Sequence, residues 1–169
     1  AIRDRSALEE ALEVAEKRVK VISSKYRELQ SRLDEVEKQK MDAVAEAESA
    51  REMAARVESL LRGIGLVKDF APLIYVIAHG SSSANNPHHG AHDCGACSGR
   101  PGSINARVFA FMANHQQVRT LLKNRGIIIP EETSFIGGLH DTAADQMDYF
   151  DEEILRTENK IRQKENLDS

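Results

Sequence analysis

Tryptophan is absent from this 169-residue sequence, and aromatic residues make up only 5% of it. Such a composition fills a large core poorly, while 30% charged residues suit long stretches of exposed helix. Cysteine occurs only twice, at Cys94 and Cys97. That is too few for the disulfide framework of a small secreted domain, and a reducing compartment is the simpler expectation. No apolar stretch approaches the roughly 18 residues a membrane-spanning helix requires. The run Leu73–Ala78 is far too short. The opening residues are charged and no apolar segment follows them, so nothing at the start reads as a signal peptide. Positive charge is not in excess: 23 Lys and Arg face 27 Asp and Glu, for a net charge of -4. With no basic cluster interleaved with aromatics, nucleic-acid binding is not expected. The length suits one modest domain. The first residue is Ala1 rather than Met, which fits a fragment of a longer protein.

Proline is missing before Pro72 and glycine before Gly63, and this region carries a helical repeat. Leu8, Leu12, Ala15, Val19, Ile22, Tyr26, Leu29, Leu33, Val36, Lys40, Ala43, Ala47, Ala50, Ala54, Val57, Leu61 and Ile64 follow alternating steps of four and three. Eight heptads in one register predict a helix over residues 1–66 with a coiled-coil-like seam, broken only by Lys40. Ser6 followed by Glu9 and Glu10 resembles a helix start. Residues 8–36 bring Leu, Val and Ile to the seam, whereas 43–54 bring mostly Ala, which buries less apolar area. The helix is either a solvated arm, alone or in an antiparallel hairpin, or one strand of an intermolecular coiled coil.

Past Gly63 and Gly65 the pattern changes. Leu73–Ala78 is apolar and β-branched, predicting a strand buried on both faces in a parallel sheet of an α/β domain. A helix is expected over 105–124, closed by Gly126. Short strands are expected at 127–129 and 133–139, the latter interrupted by Gly137 and Gly138, with a hairpin strand at 147–150. The charged segment after Asp151 reads as helix. The expected organisation is a helical arm at 1–66, an α/β portion at 67–151 and a charged helical tail at 152–169.

The loop between the first strand and the next helix holds the chemistry. It runs from His79 to about residue 104, a length that is often functional inside a compact domain. His79, His88, His89, His92, Cys94 and Cys97 all fall within 19 positions. Imidazole and thiolate donors together suit zinc. His79 directly follows a predicted strand, where α/β sheets build their sites. Other readings of the pair remain open. Cys94 and Cys97 have the spacing of a redox pair, although that motif normally opens a helix, and His, Cys and Cys would make most of a structural zinc site. His88 and His89 follow Pro87 in a turn-like segment and read as surface residues. The serines after Gly80 lack the nucleophile-elbow pattern, and no phosphate-binding loop occurs.

Several blocks in one order carry a resemblance. They are the run from His79 to Pro87, Asp93–Cys97, Asn105–Arg107, Arg125–Pro130, Thr133–Thr142 and Phe150–Asp151. Together they resemble the carboxyl-terminal part of the DabA family, over roughly residues 56–151. The resemblance implies a fragment of a β-carbonic-anhydrase-like domain holding one Zn2+. It implies a partner, the membrane subunit DabB, and a place on the cytoplasmic face of the bacterial inner membrane as a peripheral protein. The implied activity is carbon-dioxide hydration within an energy-coupled inorganic-carbon pump. The family's ligands include a His after a strand and a Cys fifteen positions on, which fall here on His79 and Cys94. The remaining ligands belong to an upstream Cys-x-Asp-x-Arg segment that this sequence does not contain. The rest of a longer chain is therefore expected to supply a Cys and an Asp, and the chain alone is expected to be inactive. Asp93 and Arg107 are candidates for supporting hydrogen bonds around the ligands, with Asn86 and His140 as further lining residues. No residue is assigned a catalytic role.

Overall fold

The structure is a computed structural model that describes residues 2–82, 93, 94, 97 and 99–167, with side chains from residue 8 onward. Its elements are α1 (Ile2–Gly63), β1 (Leu73–Gly80), α2 (Ser103–Asn114), α3 (Gln116–Asn124), β2 (Ser134–Asp141), β3 (Gln146–Phe150), a 3-10 turn (Glu152–Ile154) and α4 (Thr157–Leu167). They fall into two compact units, Ala1–Glu48 and Ser49–Ser169. No helix among the described residues is long and apolar enough to cross a membrane.

The first unit consists of α1 residues, and every described side chain in it is exposed. Helix is expected here from the run of good helix formers without Gly or Pro. Pairs such as Lys17–Glu13 (2.6 Å) and Arg32–Glu28 (3.0 Å) lie one turn apart along it.

The second unit begins with the last turns of α1, and here the seam is covered. Ala50, Ala54, Val57 and Leu61 are buried. The last three join Phe70, Ala110, Ala113, Val118, Leu122, Ile127, Ile129 and Phe135 in one core. Gly65, at φ 77°, closes α1: Leu66 N–H donates to Leu61 O (2.9 Å) and Gly65 N–H to Arg62 O (3.1 Å). This is the six-to-one and five-to-two pattern that a left-handed residue permits at a helix end. Gly126 closes α3 in the same way onto Leu122 and Lys123.

The sheet has the order β1-β2-β3, with β1 parallel to β2 and β2 antiparallel to β3. The α/β expectation holds, with several corrections. β1 is not buried on both faces: it lies at the sheet edge, and Ile77 and His79 are exposed. The helix expected over 105–124 breaks at His115, whose backbone turns extended (φ -68°, ψ 126°). Residues 127–129 form no strand, although Ile127 and Ile129 are buried in the core. β2 continues through Gly137 and Gly138, and α2 crosses at Gly137. A Cβ on Gly137 would lie 2.8 Å from the Arg107 backbone, so only glycine admits the helix.

α2 and α3 are tied to β2 by two side chains. Asn114 Nδ2 donates to Phe135 O (2.7 Å), and Phe135 N–H donates to Asn114 Oδ1 (2.9 Å). The Arg119 guanidinium donates to Ala113 O, Pro130 O and Thr133 O, satisfying three carbonyls around the break at His115.

Candidate metal centre

His79 is the penultimate residue of β1, in parallel register with His140 of β2. Strand alternation puts Tyr75, Ile77 and His79 on one face and Ala78 on the other. α2 covers that second face, where a Cβ on Gly102 would lie 2.9 Å from the Ala78 Cβ. The His79 ring therefore projects from the face opposite α2. It is exposed, and no described group hydrogen-bonds to it.

The chain returns to this strand end after the loop. Gly102 N–H donates to His79 O at 2.9 Å, and Ser81 N–H approaches Asp93 Oδ1 at 3.4 Å. Two hydrogen bonds thus pin both sides of the segment bearing the cysteines to the carboxyl end of β1. The Gly102 contact needs glycine, since a side chain there would strike His79 O at 2.9 Å. Cys94 O accepts from Cys97 N–H (3.1 Å) and Gly99 N–H (2.9 Å), making a tight turn. Both thiols are free and half-buried. They neighbour each other: hydrogen bonding with the Cys94 thiol, then partial burial, holds the Cys97 thiol above its usual range. Asn105 Nδ2, on the first turn of α2, lies 3.5 Å from Cys97 Sγ.

A second anchor comes from the end of β2. The Asp141 carboxylate accepts from the N–H groups of Ser82 (3.0 Å), Ala143 (2.9 Å) and Ala144 (3.3 Å). Hydrogen bonds from the Ser82 side chain and backbone are the main reason its carboxyl is lowered to about 2. Thr142 donates to Gly80 O through its N–H (2.9 Å) and its hydroxyl (3.2 Å). Asp141, Thr142, Gly102 and Asn105 all build the site, yet composition and spacing do not single them out. The one signal for Asp141 and Thr142 is that this polar pair lies just past the strand expected at 133–139.

The other expected residues are placed differently. Arg107 makes a two-pronged pair with Asp151 (2.8 and 2.6 Å) and lies over the Phe150 ring, 5.4 Å from its centre. That guanidinium lowers the Asp151 carboxyl. His140 Nε2 lies 3.0 Å from the Asp145 carboxylate. Asn86, His88, His89 and His92 lie outside the described residues. A groove of about 440 Å³ beside Arg107, lined by Ile104, Val108, Phe111 and Phe150, contains neither histidine nor cysteine.

Among the described residues, no three His, Cys, Asp or Glu side chains are grouped to hold a metal ion. An imidazole and a thiolate at one strand end suit zinc chemically, but tetrahedral coordination needs four donors. The donor types therefore suit zinc, while among the described residues no contact joins the His79 ring to the Cys94 thiol.

A family model described as "Probable inorganic carbon transporter subunit DabA" matches residues 4–168, so the match takes in the arm and the tail as well as the central blocks. A relative of that name in Azotobacter vinelandii is 54% identical over 118 residues, covering 70% of this chain and 14% of the relative. Another, in Nitrosospira multiformis, is 57% identical over 118 residues, covering 68% of this chain and 13% of the relative. A relative in Methylococcus capsulatus is 52% identical over 100 residues, 59% of this chain and 9% of its own length. No solved structure matches. The chain thus spans about a seventh of the length of the first of these relatives. A match running across almost the whole sequence, with relatives above half identity, shows that this chain belongs to the DabA family.

Proposed function

We propose that this chain is the part of an inorganic-carbon transporter subunit in which His79 and Cys94 supply two ligands to a zinc ion. The reading rests on one observation: hydrogen bonds to His79 O and from Ser81 N–H return the cysteine segment to the strand end that carries His79. The small mixed sheet is read as a portion of a β-carbonic-anhydrase-like domain. The remaining ligands, a Cys and an Asp, come from the rest of the longer polypeptide. The relatives' description as transporter subunits supports work beside a membrane subunit of the DabB kind. A helix-borne anchor is not needed for this, and a peripheral position on the cytoplasmic side of the inner membrane suits it.

When bound, zinc supplies the Lewis-acid activation of water that hydration of carbon dioxide to bicarbonate requires. The chain's own residues hold and shape the place. β1 presents the imidazole, and the Cys94 turn presents the thiolate from a backbone fixed by Cys97 and Gly99 N–H groups. Asp93 keeps the turn against Ser81. Asp141 and Thr142 keep the strand end from fraying.

Zinc content of the purified full-length subunit tests this. His79→Ala and Cys94→Ala should each remove the metal and reduce carbon-dioxide hydration to background. Zinc retained at full occupancy in both variants rejects the pair. A second reading, a structural zinc held by Cys94 and Cys97 together, is favoured by the neighbouring thiols. Cys97→Ala separates the two, since it keeps zinc under the first reading and loses it under the second.

A further inference from the structure

We infer that residues 8–36 of α1 pair with a second copy of this chain as a parallel two-stranded coiled coil. The seam of α1 has two fates. From Ala50 to Leu61 it is buried within the second unit, whereas Leu8, Leu12, Val19, Ile22, Tyr26, Leu29, Leu33 and Val36 are all more than half exposed. The exposed stretch carries the larger apolar side chains. A continuous apolar stripe of four heptads on a surface helix is the mark of a helical partner.

The charges flanking the stripe select the partner and its direction. With Leu12, Val19, Tyr26 and Leu33 at a and Leu8, Ala15, Ile22, Leu29 and Val36 at d, the g positions are Ala11, Arg18, Lys25, Arg32 and Gln39. The e positions are Glu9, Glu16, Ser23, Gln30 and Glu37. Every charged residue on one flank is basic, and every charged residue on the other is acidic. In an antiparallel pair of identical helices g faces g and e faces e, so basic would meet basic and acid would meet acid. In a parallel pair g faces e of the next heptad. Ala11 then meets Glu16, Arg18 meets Ser23, Lys25 meets Gln30 and Arg32 meets Glu37 of the other copy, with no like-charge contact. Lys40, at the following a position, ends the apolar run.

The 169-residue chain itself is the material for the test. Sedimentation equilibrium should give twice the 18.8 kDa chain mass. Arg32→Glu and Glu37→Arg should each weaken self-association by about tenfold, because each creates two like-charge contacts per dimer. An equimolar mixture of the two variants should form heterodimers in preference to either homodimer, since only the mixed parallel dimer has both flanks complementary. Loss of an intrahelical pair such as Arg32–Glu28 cannot produce that preference. A chain that stays monomeric, as it would if this stripe packs on another segment of the full-length polypeptide, overturns the inference. So does a dimer whose variants mix at random.

Discussion

Gly102 and Asp141 decide how the two arms of the loop meet β1. A methyl group at position 102 would sit 2.9 Å from both His79 O and the Ala78 Cβ, and neither is the end of a flexible side chain. Gly102→Ala should therefore push α2 off the strand end, costing about 1–3 kcal/mol of stability. On the proposed zinc role of this strand end, it should also lower zinc occupancy of the full-length subunit. Denaturant unfolding and metal content on one preparation check both, and unchanged occupancy would separate the Gly102 contact from the site. Asp141 makes a different prediction. Its carboxyl ionises at about 2 in the folded chain, against an ordinary 3.8, chiefly through Ser82. The stability it gives is fully present above about pH 4 and is lost as pH falls toward 2. Asp141→Asn should remove that part of the acid sensitivity, seen as a shallower fall of melting temperature over this window. Equal slopes in the two proteins would show that the carboxylate is not linked to folding.

Along α1 the sequence pattern is nearly uniform, but the energetics are not. Leu61 is buried at 1% exposure among Val57, Phe70 and Leu122, while Leu29 on the same seam is 63% exposed. Leu61→Ala should cost the second unit about 2–5 kcal/mol, and Leu29→Ala less than about 0.5 kcal/mol. Urea unfolding followed by circular dichroism, at concentrations low enough to keep the chain monomeric, distinguishes them. Equal costs would contradict the division of the seam. This element also shows how far periodicity reaches. It gave the helix and its register, and the weaker half by apolar area. It did not show that Ala50 and Ala54, with Val57 and Leu61, pack into the domain while Ala43 and Ala47 stay exposed. Small side chains let α1 approach the core closely, which the area argument alone does not capture. The helix at 105–124 was legible in the same way, but its break was not. Nothing local stops it at His115; there Asn114 and Arg119 bond to the backbone groups of Phe135 and Thr133, far along the chain.

At the scale of the molecule, the edge strand and the two donors point the same way. A parallel strand left at an edge, with an exposed imidazole at its end, suits a sheet and a metal site finished by more chain. Under the proposed sharing of donors between this chain and the rest of the subunit, the 169 residues alone should bind zinc orders of magnitude more weakly than the full-length subunit. Equilibrium dialysis of both measures this, and equal affinities would mean that the ligands all lie within this chain.

The sequence by itself determined the elements whose causes are local. These are the long heptad helix, the apolar strand before His79, and the glycine helix ends at Gly65 and Gly126. Each follows from spacing along the chain or from the kind of side chain present. Tertiary structure decided what those elements meet. It put β1 at an edge, buried the stretch from Ala50 to Leu61 of a continuous seam, and engaged Arg107 with Asp151. It also brought Asp93 and Gly102 back to the strand end, the latter through a backbone contact that only glycine allows. Burial and encounter depend on residues far apart in the chain, and no local period encodes them.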